Sequence, residues 1–305
     1  MEAVVVNRSN SIAKLYLLCA VALLLFSPGA YAQQSAGAQK QTEVYGQKIH
    51  YLEVGSGGPN VILLHGLGAD SSSWALTAPA LADRFHVYAP DQIGFGQSDK
   101  PKINYRVGTM VDFLYGFMKQ LNIDRATLVG NSLGGWIALA FALAHPDRVQ
   151  KIVLVDSAGI SDERLSLSAP ELLRRLNPST LAGTREALQN IVYDTQMITD
   201  QVVENFFVAR LKKGDSYTID KFLESVLRGE DFLDGKLSAI RAPTLIIWGR
   251  EDKLTPLTMG EQFAREIKGA ELVVFDKCGH IPQIEKPAQF NAALLKFLSQ
   301  SAASN

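Results

Sequence analysis

Three residues of this 305-residue chain have the types and surroundings to act together on a substrate: Ser132, Asp252 and His280. Ser132 lies in Gly130-Asn131-Ser132-Leu133-Gly134-Gly135, between the apolar, β-prone run 126–129 and a helix-like segment at 136–145. Glycines two residues before and two after the serine let the backbone take a cramped strand-to-helix turn that holds the hydroxyl clear of a sheet. The following helix aims free N–H groups, and the positive end of its dipole, at negative charge forming there. A serine that only caps its helix shows the same local pattern. The two differ in their partners. A serine hydroxyl is a weak nucleophile at neutral pH until a base takes its proton, and an imidazole can take it and later return it to the leaving group. His280 follows the last β-prone run in the loop Lys277-Cys278-Gly279-His280. Of the other histidines, His50 and His86 fall within strand-like runs, His145 closes a helix, and His65 precedes a turn glycine as a brace for its loop. Asp252, in Gly249-Arg250-Glu251-Asp252, would fix the imidazole tautomer and stabilise its cation. Glu251 and Asp156 are the alternative acids, Asp156 because it also ends a strand. A tetrahedral intermediate needs two aimed N–H donors. Leu133 offers one, and Leu67 in His65-Gly66-Leu67-Gly68 is the choice for the other.

Such scattered residues meet only if the scaffold brings their loops together. Runs at 61–64, 85–89, 126–130, 151–156, 243–248 and 271–275 read as strands, several of them apolar on both faces. Helical stretches at 74–83, 106–121, 136–145, 259–267 and 287–298 alternate with them, which predicts a parallel sheet covered by helices on both faces. In such a sheet the C-terminal strand ends face one crevice. Residues 42–45 and 48–54 read as a hairpin around Gly46-Gln47. From 161 to 238 the rhythm stops, and helical stretches at 170–176, 184–193, 199–211 and 219–227 predict an all-helical insertion. The expected division is core at 42–160, helical cap at 161–238 and core again at 239–305.

A hydrophobic content of 47% and a net charge of −1 suit one large core. They imply no basic face for nucleic acid, so a small neutral or apolar partner is expected. Two cysteines, Cys19 and Cys278, without clustered histidines predict neither a metal centre nor a disulfide framework. Residues 1–32 read as a secretory signal: Arg8 and Lys14, an apolar core at 15–26, then Ala30-Tyr31-Ala32 as a cleavage site. The apolar core is shorter than the ~20 residues a membrane-spanning helix needs, so cleavage and export to the periplasm or medium are expected, with membrane anchoring by 15–26 the alternative. Residues 33–41 are small and polar, as in a flexible linker.

Taken in order, His65-Gly66-Leu67-Gly68, then Asp91-x-x-Gly94-x-Gly96-x-Ser98, the Gly-Asn-Ser-Leu-Gly-Gly turn, Asp252 and His280 resemble the α/β-hydrolase superfamily from about residue 42 to 299. The resemblance implies a mostly parallel eight-stranded sheet with a helical cap inserted after the sixth strand. It also implies Ser132 as nucleophile, Asp252 as acid, His280 as base, Leu67 and Leu133 as oxyanion donors, and no cofactor. The superfamily spans esterases, lipases, carbon–carbon bond hydrolases of ring-cleavage products, epoxide hydrolases, dehalogenases and non-catalytic members. Epoxide hydrolases and dehalogenases resemble one another in carrying an aspartate where this chain has Ser132. The Gly-Asn-Ser-Leu-Gly-Gly form and Ile198-Thr199-Asp200 are similar to the carbon–carbon hydrolases. Those usually carry Trp after the catalytic histidine and a cap arginine for the substrate carboxylate, where this chain has Ile281 and Asn205-Phe206-Phe207. The expected activity is therefore an exported serine esterase for lipid-like or short-to-medium acyl esters, with Phe206 and Ile281 against the substrate. A carbon–carbon bond hydrolase of a diketo acid and a catalytically silent binding member are the alternatives.

Overall fold

A computed structural model describes residues 37–161, 171 and 175–300. Eight strands form one sheet: β1 (Ala38–Val44), β2 (Gln47–Val54), β3 (Asn60–Leu64), β4 (His86–Pro90), β5 (Ala126–Asn131), β6 (Val149–Val155), β7 (Thr244–Gly249) and β8 (Glu271–Phe275). Their order in space is β1-β2-β4-β3-β5-β6-β7-β8. The pairs β1–β2 and β2–β4 are antiparallel and the rest parallel. The chain leaves β3 toward β4 on one side and returns to β5 on the other. The C-terminal ends of β3 and β5 therefore flank the switch point where such sheets hold their ligands.

Alternation along the strands divides the core into two layers. Ile62 and Leu64 of β3, Leu128 of β5 and Ile152 and Leu154 of β6 join one cluster, with Leu114 and Phe117 of α2 (Val107–Gln120) and Ile137 and Phe141 of α3 (Leu133–Ala144). Val61, Leu63, Val129, Val153 and Val155 point the other way, against Leu81 of α1 (Ala78–Leu81) and Phe290, Leu294 and Phe297 of α9 (Pro287–Ser299). Strands buried on both faces need apolar residues at every position, which is why these runs show no polar alternation.

Between β6 and β7 the described residues form α4 (Leu181–Ile191), α5 (Asp200–Lys213) and α6 (Ser216–Leu227), the helical cap after the sixth strand. Thr180 caps α4 by accepting from the Gly183 N–H, and Thr199 caps α5 by accepting from the Val202 N–H. Gly214, at φ +64°, ends α5 in a left-handed turn. The chain then completes the core with α7 (Leu257–Glu266), the short α8 (Pro282–Glu285) and α9.

Two boundaries are corrected. Of the expected linker 33–41, residues 38–41 belong to β1, whose Ala38 pairs with Glu53 and whose Gln41 pairs with His50. β1 is an edge strand, exposed along most of its length. Backbone pairing with β2 forms it, and such pairing leaves no apolar pattern in the sequence. The expected helix 74–83 is also shorter: a tight turn at Ser71–Trp74 precedes α1. The expected signal or anchor at 1–32, and most of the cap helix expected at 170–176, lie outside the described residues. No helix among the described residues is long and apolar enough to cross a membrane.

Candidate active site

Ser132 stands between β5 and α3 with φ +55° and ψ −117°, backbone angles a side-chain-bearing residue rarely adopts. Its surroundings impose the turn. A Cβ on Gly130 would lie 2.2 Å from the Gly134 carbonyl carbon, and one on Gly134 would lie 2.1 Å from the Leu64 carbonyl oxygen. Neither position accepts a side chain. The Ser132 N–H donates to Val155 O at 2.9 Å, and its own carbonyl accepts from the N–H groups of Gly135, Trp136 and Ala158. The strained serine is thereby locked from both sides.

The loop after β3 lies against this turn, since a Cβ on Gly66 would come within 3.3 Å of the Ser132 Cβ. His65 braces the loop. Its Nε2 accepts from the Gln92 N–H at 3.0 Å, which leaves the proton on Nδ1 to donate to Gly66 O at 2.8 Å. Burial lowers the pKa of His65, which keeps this arrangement neutral. Leu67 and Leu133 both line the cavity with Ser132 and His280. No hydrogen bond among the described residues uses the Leu67 N–H. Asp91 holds the next loop, accepting from the Ser71 and Gln97 N–H groups and facing His50 Nδ1 at 2.9 Å.

On the far side of the serine, His280 Nδ1 donates to Asp252 Oδ2 at 2.7 Å. Both residues are buried. Burial alone would raise Asp252, yet the neighbouring imidazole and hydrogen bonds from Thr255 and the Leu254 N–H hold it below the ordinary carboxylate range. Glu251 is not at this position, because its carboxylate accepts from the Cys278 N–H at 3.0 Å. Asp156 is beside Asp252, but its Oδ1 accepts from the Gly249 N–H at 2.9 Å. The acid on the imidazole is thus Asp252.

Three further residues build the site, and they are not evident from the sequence. Thr255 donates its hydroxyl to Asp252 Oδ2 at 2.6 Å and lies 3.2 Å from His280 Nδ1. Asn131 Nδ2 donates to Val155 O at 3.1 Å and His280 O at 3.0 Å, tying the serine turn to the histidine loop. Glu285 accepts from the N–H groups of Gly279 and Tyr193, and the His280 N–H donates to Ile191 O at 2.7 Å, so cap and histidine loop are joined. The spacing of Thr255 three residues after Asp252 is the one available signal, because an aspartate accepts from backbone N–H groups two and three residues on. Asn131 reaches His280 across 149 residues and Glu285 reaches Tyr193 across 92, with no local pattern.

The cavity above Ser132 has a volume of about 350 Å³. Phe206 of α5, with Leu188, Ile198 and Val202, forms its cap wall, and Ile281 lies beside His280 at its floor. Both expected substrate contacts, Phe206 and Ile281, therefore line the cavity. Phe207 is not part of the wall, although it neighbours Phe206 in sequence.

A strained serine and the imidazole of an acid–imidazole pair lining one cavity, at the switch point of a capped parallel sheet, define the serine hydrolases of α/β type. The chain belongs to the alpha/beta hydrolase fold family, which it matches over residues 59–287. It is 35% identical over 280 residues to 2-hydroxymuconate semialdehyde hydrolase of Pseudomonas sp. strain CF600, covering 89% of this chain and 97% of that protein. Among solved structures it is similar to a meta-cleavage product hydrolase from Pseudomonas fluorescens IP01, with 33% identity, a TM-score of 0.76, and coverage of 85% of this chain and 97% of that one. It is also similar to a membrane phospholipase A described as a bacterial virulence factor, with 27% identity, a TM-score of 0.75, and coverage of 95% of this chain and 91% of that one.

Proposed function

We propose that the chain is a serine hydrolase of the carbon–carbon type, acting on a vinylogous diketo acid of the kind the names of its relatives describe. Ser132 Oγ attacks the ketone carbon as His280 takes its proton, and the N–H groups of Leu67 and Leu133 receive the developing oxyanion. The bond from that carbon to the neighbouring carbon then breaks. The leaving carbon takes the proton from His280, and conjugation with the substrate's carbonyl groups holds its electrons. Water, deprotonated by His280, releases the acyl group as a carboxylic acid. What carries this reading is the match to the semialdehyde hydrolase over 89% of this chain and 97% of that protein. The cavity wall adds a cation. The Lys253 ammonium is held by Gln189 O at 3.1 Å and by no acid among the described residues, so its charge remains for a substrate carboxylate.

A second reading, hydrolysis of apolar carboxylic esters, is favoured by the wall itself. Phe206 and Ile281 present apolar surface, and among the described residues two of the three cap cations on the wall, Arg210 and Lys213 but not Arg175, are already paired, with Asp215 and Asp70. Similarity to a phospholipase A over 95% of the chain points the same way. The two chemistries share every step up to the leaving group, oxygen in one case and carbon in the other. The deciding assay compares kcat/KM for a 2-hydroxy-6-oxo-dienoate and for p-nitrophenyl esters of increasing length. The carbon–carbon reading expects the dienoate to be preferred and Lys253→Met to raise its KM roughly tenfold, the loss of one charged contact, with ester KM unchanged. Preference for long esters, with Phe206→Ala raising KM more for each added methylene, would replace it.

A further inference from the structure

A second carboxyl stands beside the acid of this site and takes no part in the chemistry above. Asp156 directly follows β6 at φ +42° and is fully buried. Its Oδ1 accepts from the Gly249 N–H, while Oδ2 is buried without a donor among the described residues. One oxygen of Asp156, one of Asp252 and a ring nitrogen of His280 all lie within 4.8 Å of one another. Two carboxylates this close and out of water do not both ionise. Donors decide which keeps the charge. Asp252 accepts from the Leu254 N–H, the Thr255 N–H, the Thr255 hydroxyl and His280, whereas the Asp156 side chain accepts from Gly249 alone.

We infer that Asp156 is a positioning residue that retains its proton and donates it from Oδ2 to the Asp252 carboxylate, so that His280 faces one negative charge and not two. The orphaned oxygen is then a donor, and Asp252 gains a further hydrogen bond on the side away from the imidazole. Burial, followed by the charge of Asp252, pushes Asp156 well above its usual range, in the required sense. The other titratable groups that bear on it are Glu285 and Cys278, both raised by burial, and His280 itself. The Thr255 hydroxyl also reaches the Asp156 carbonyl at 3.1 Å, linking the two acids through one side chain.

This inference rests on the serine-hydrolase reading, so one readout uses activity and the other does not. In Asp156→Asn the amide copies a protonated carboxyl, accepting from Gly249 and donating to Asp252. Its kcat/KM for p-nitrophenyl acetate should stay within about threefold of wild type, with the acid limb of the pH profile unmoved. Asp156→Leu removes the donor, leaves Asp252 a stronger partner for the imidazolium, and should move that limb up by about half a pH unit or more. The second readout is Tm against pH. An unfolded Asp156 loses its proton near pH 4 while the folded one keeps it, so wild type binds more protons when folded and loses stability as pH rises. Asp156→Asn has no such loss. Its Tm should exceed that of wild type at about pH 8, and the gap should close toward about pH 4. A gap independent of pH would show an ordinary ionised carboxylate and overturn the inference, whether or not the protein turns over any substrate. So would an acid limb in Asp156→Asn moved down by about one unit, the mark of a lost negative charge, or an activity loss as large as that of Asp252→Asn.

Discussion

At the scale of single residues, we propose that Ser132, His280 and Asp252 act as one unit. Ser132→Ala and His280→Ala should each lower kcat by roughly 10⁴ to 10⁶, and the double variant should fall little further, because either change disables the same proton-coupled attack. Steady-state kinetics on the three proteins check this, and additive losses would separate the residues. Asp252→Asn should keep the fold while the amide misorients the imidazole. Near-full activity in Asp252→Asn would break the pairing read from the 2.7 Å contact with His280. Leu67 and Leu133, as proposed oxyanion donors, would act through backbone N–H groups, so side-chain substitutions there test packing and leave the N–H groups in place.

At the scale of elements, the cap does more than roof the cavity. From α5, Arg210 donates to Gly68 O at 3.3 Å, to Asp215 Oδ2 at 3.3 Å and to Asn177 Oδ1 at 3.0 Å. Lys213, one turn on, pairs with Asp70 at 2.8 Å. Both reach the loop that carries Leu67, so α5 clamps the donor loop to the cap. The Asp215 side chain is wholly buried, and burial raises its pKa against the pull of Arg210. Arg210→Met should therefore leave a buried acid without its cation and cost about 3 to 5 kcal/mol in urea unfolding at neutral pH. Lys213→Met, whose partner is less buried, should cost about 1 kcal/mol. Equal midpoints for Arg210→Met and wild type would show that the clamp carries no stability.

At the scale of the whole molecule, the remaining question is where the chain works. The charged start, the apolar core at 15–26 and Ala30-Tyr31-Ala32 lead us to propose export with cleavage after Ala32. N-terminal sequencing of protein from the native host should find Gln33 first, in the periplasmic or extracellular fraction. Residues 1–32 retained in the membrane pellet would mean anchoring instead. Among the described residues, the site lies in the crevice at the C-terminal strand ends and is built from the core and cap.

The order Ser132, Asp252, His280 and the glycines around them were legible in the sequence, because a nucleophile turn, strand-end loops and buried parallel strands each leave a local mark. The cap showed itself as the stretch where strands cease. Other features were decided only in three dimensions. The edge strand β1 gains its order from backbone pairing with β2, which any polar sequence can make. Asp252, already preferred in the sequence, is the carboxylate that reaches the imidazole, while the Gly249 N–H holds its alternative Asp156. Asn131 and Glu285 bridge segments that are adjacent only after folding, and Phe206 faces the cavity while Phe207 turns away because α5 rotates about 100° between neighbours. Local sequence specifies what a residue can do chemically. Long-range packing specifies which neighbour it does it with, since hydrogen-bond partners hundreds of bonds apart along the chain share no pattern that either end alone reveals.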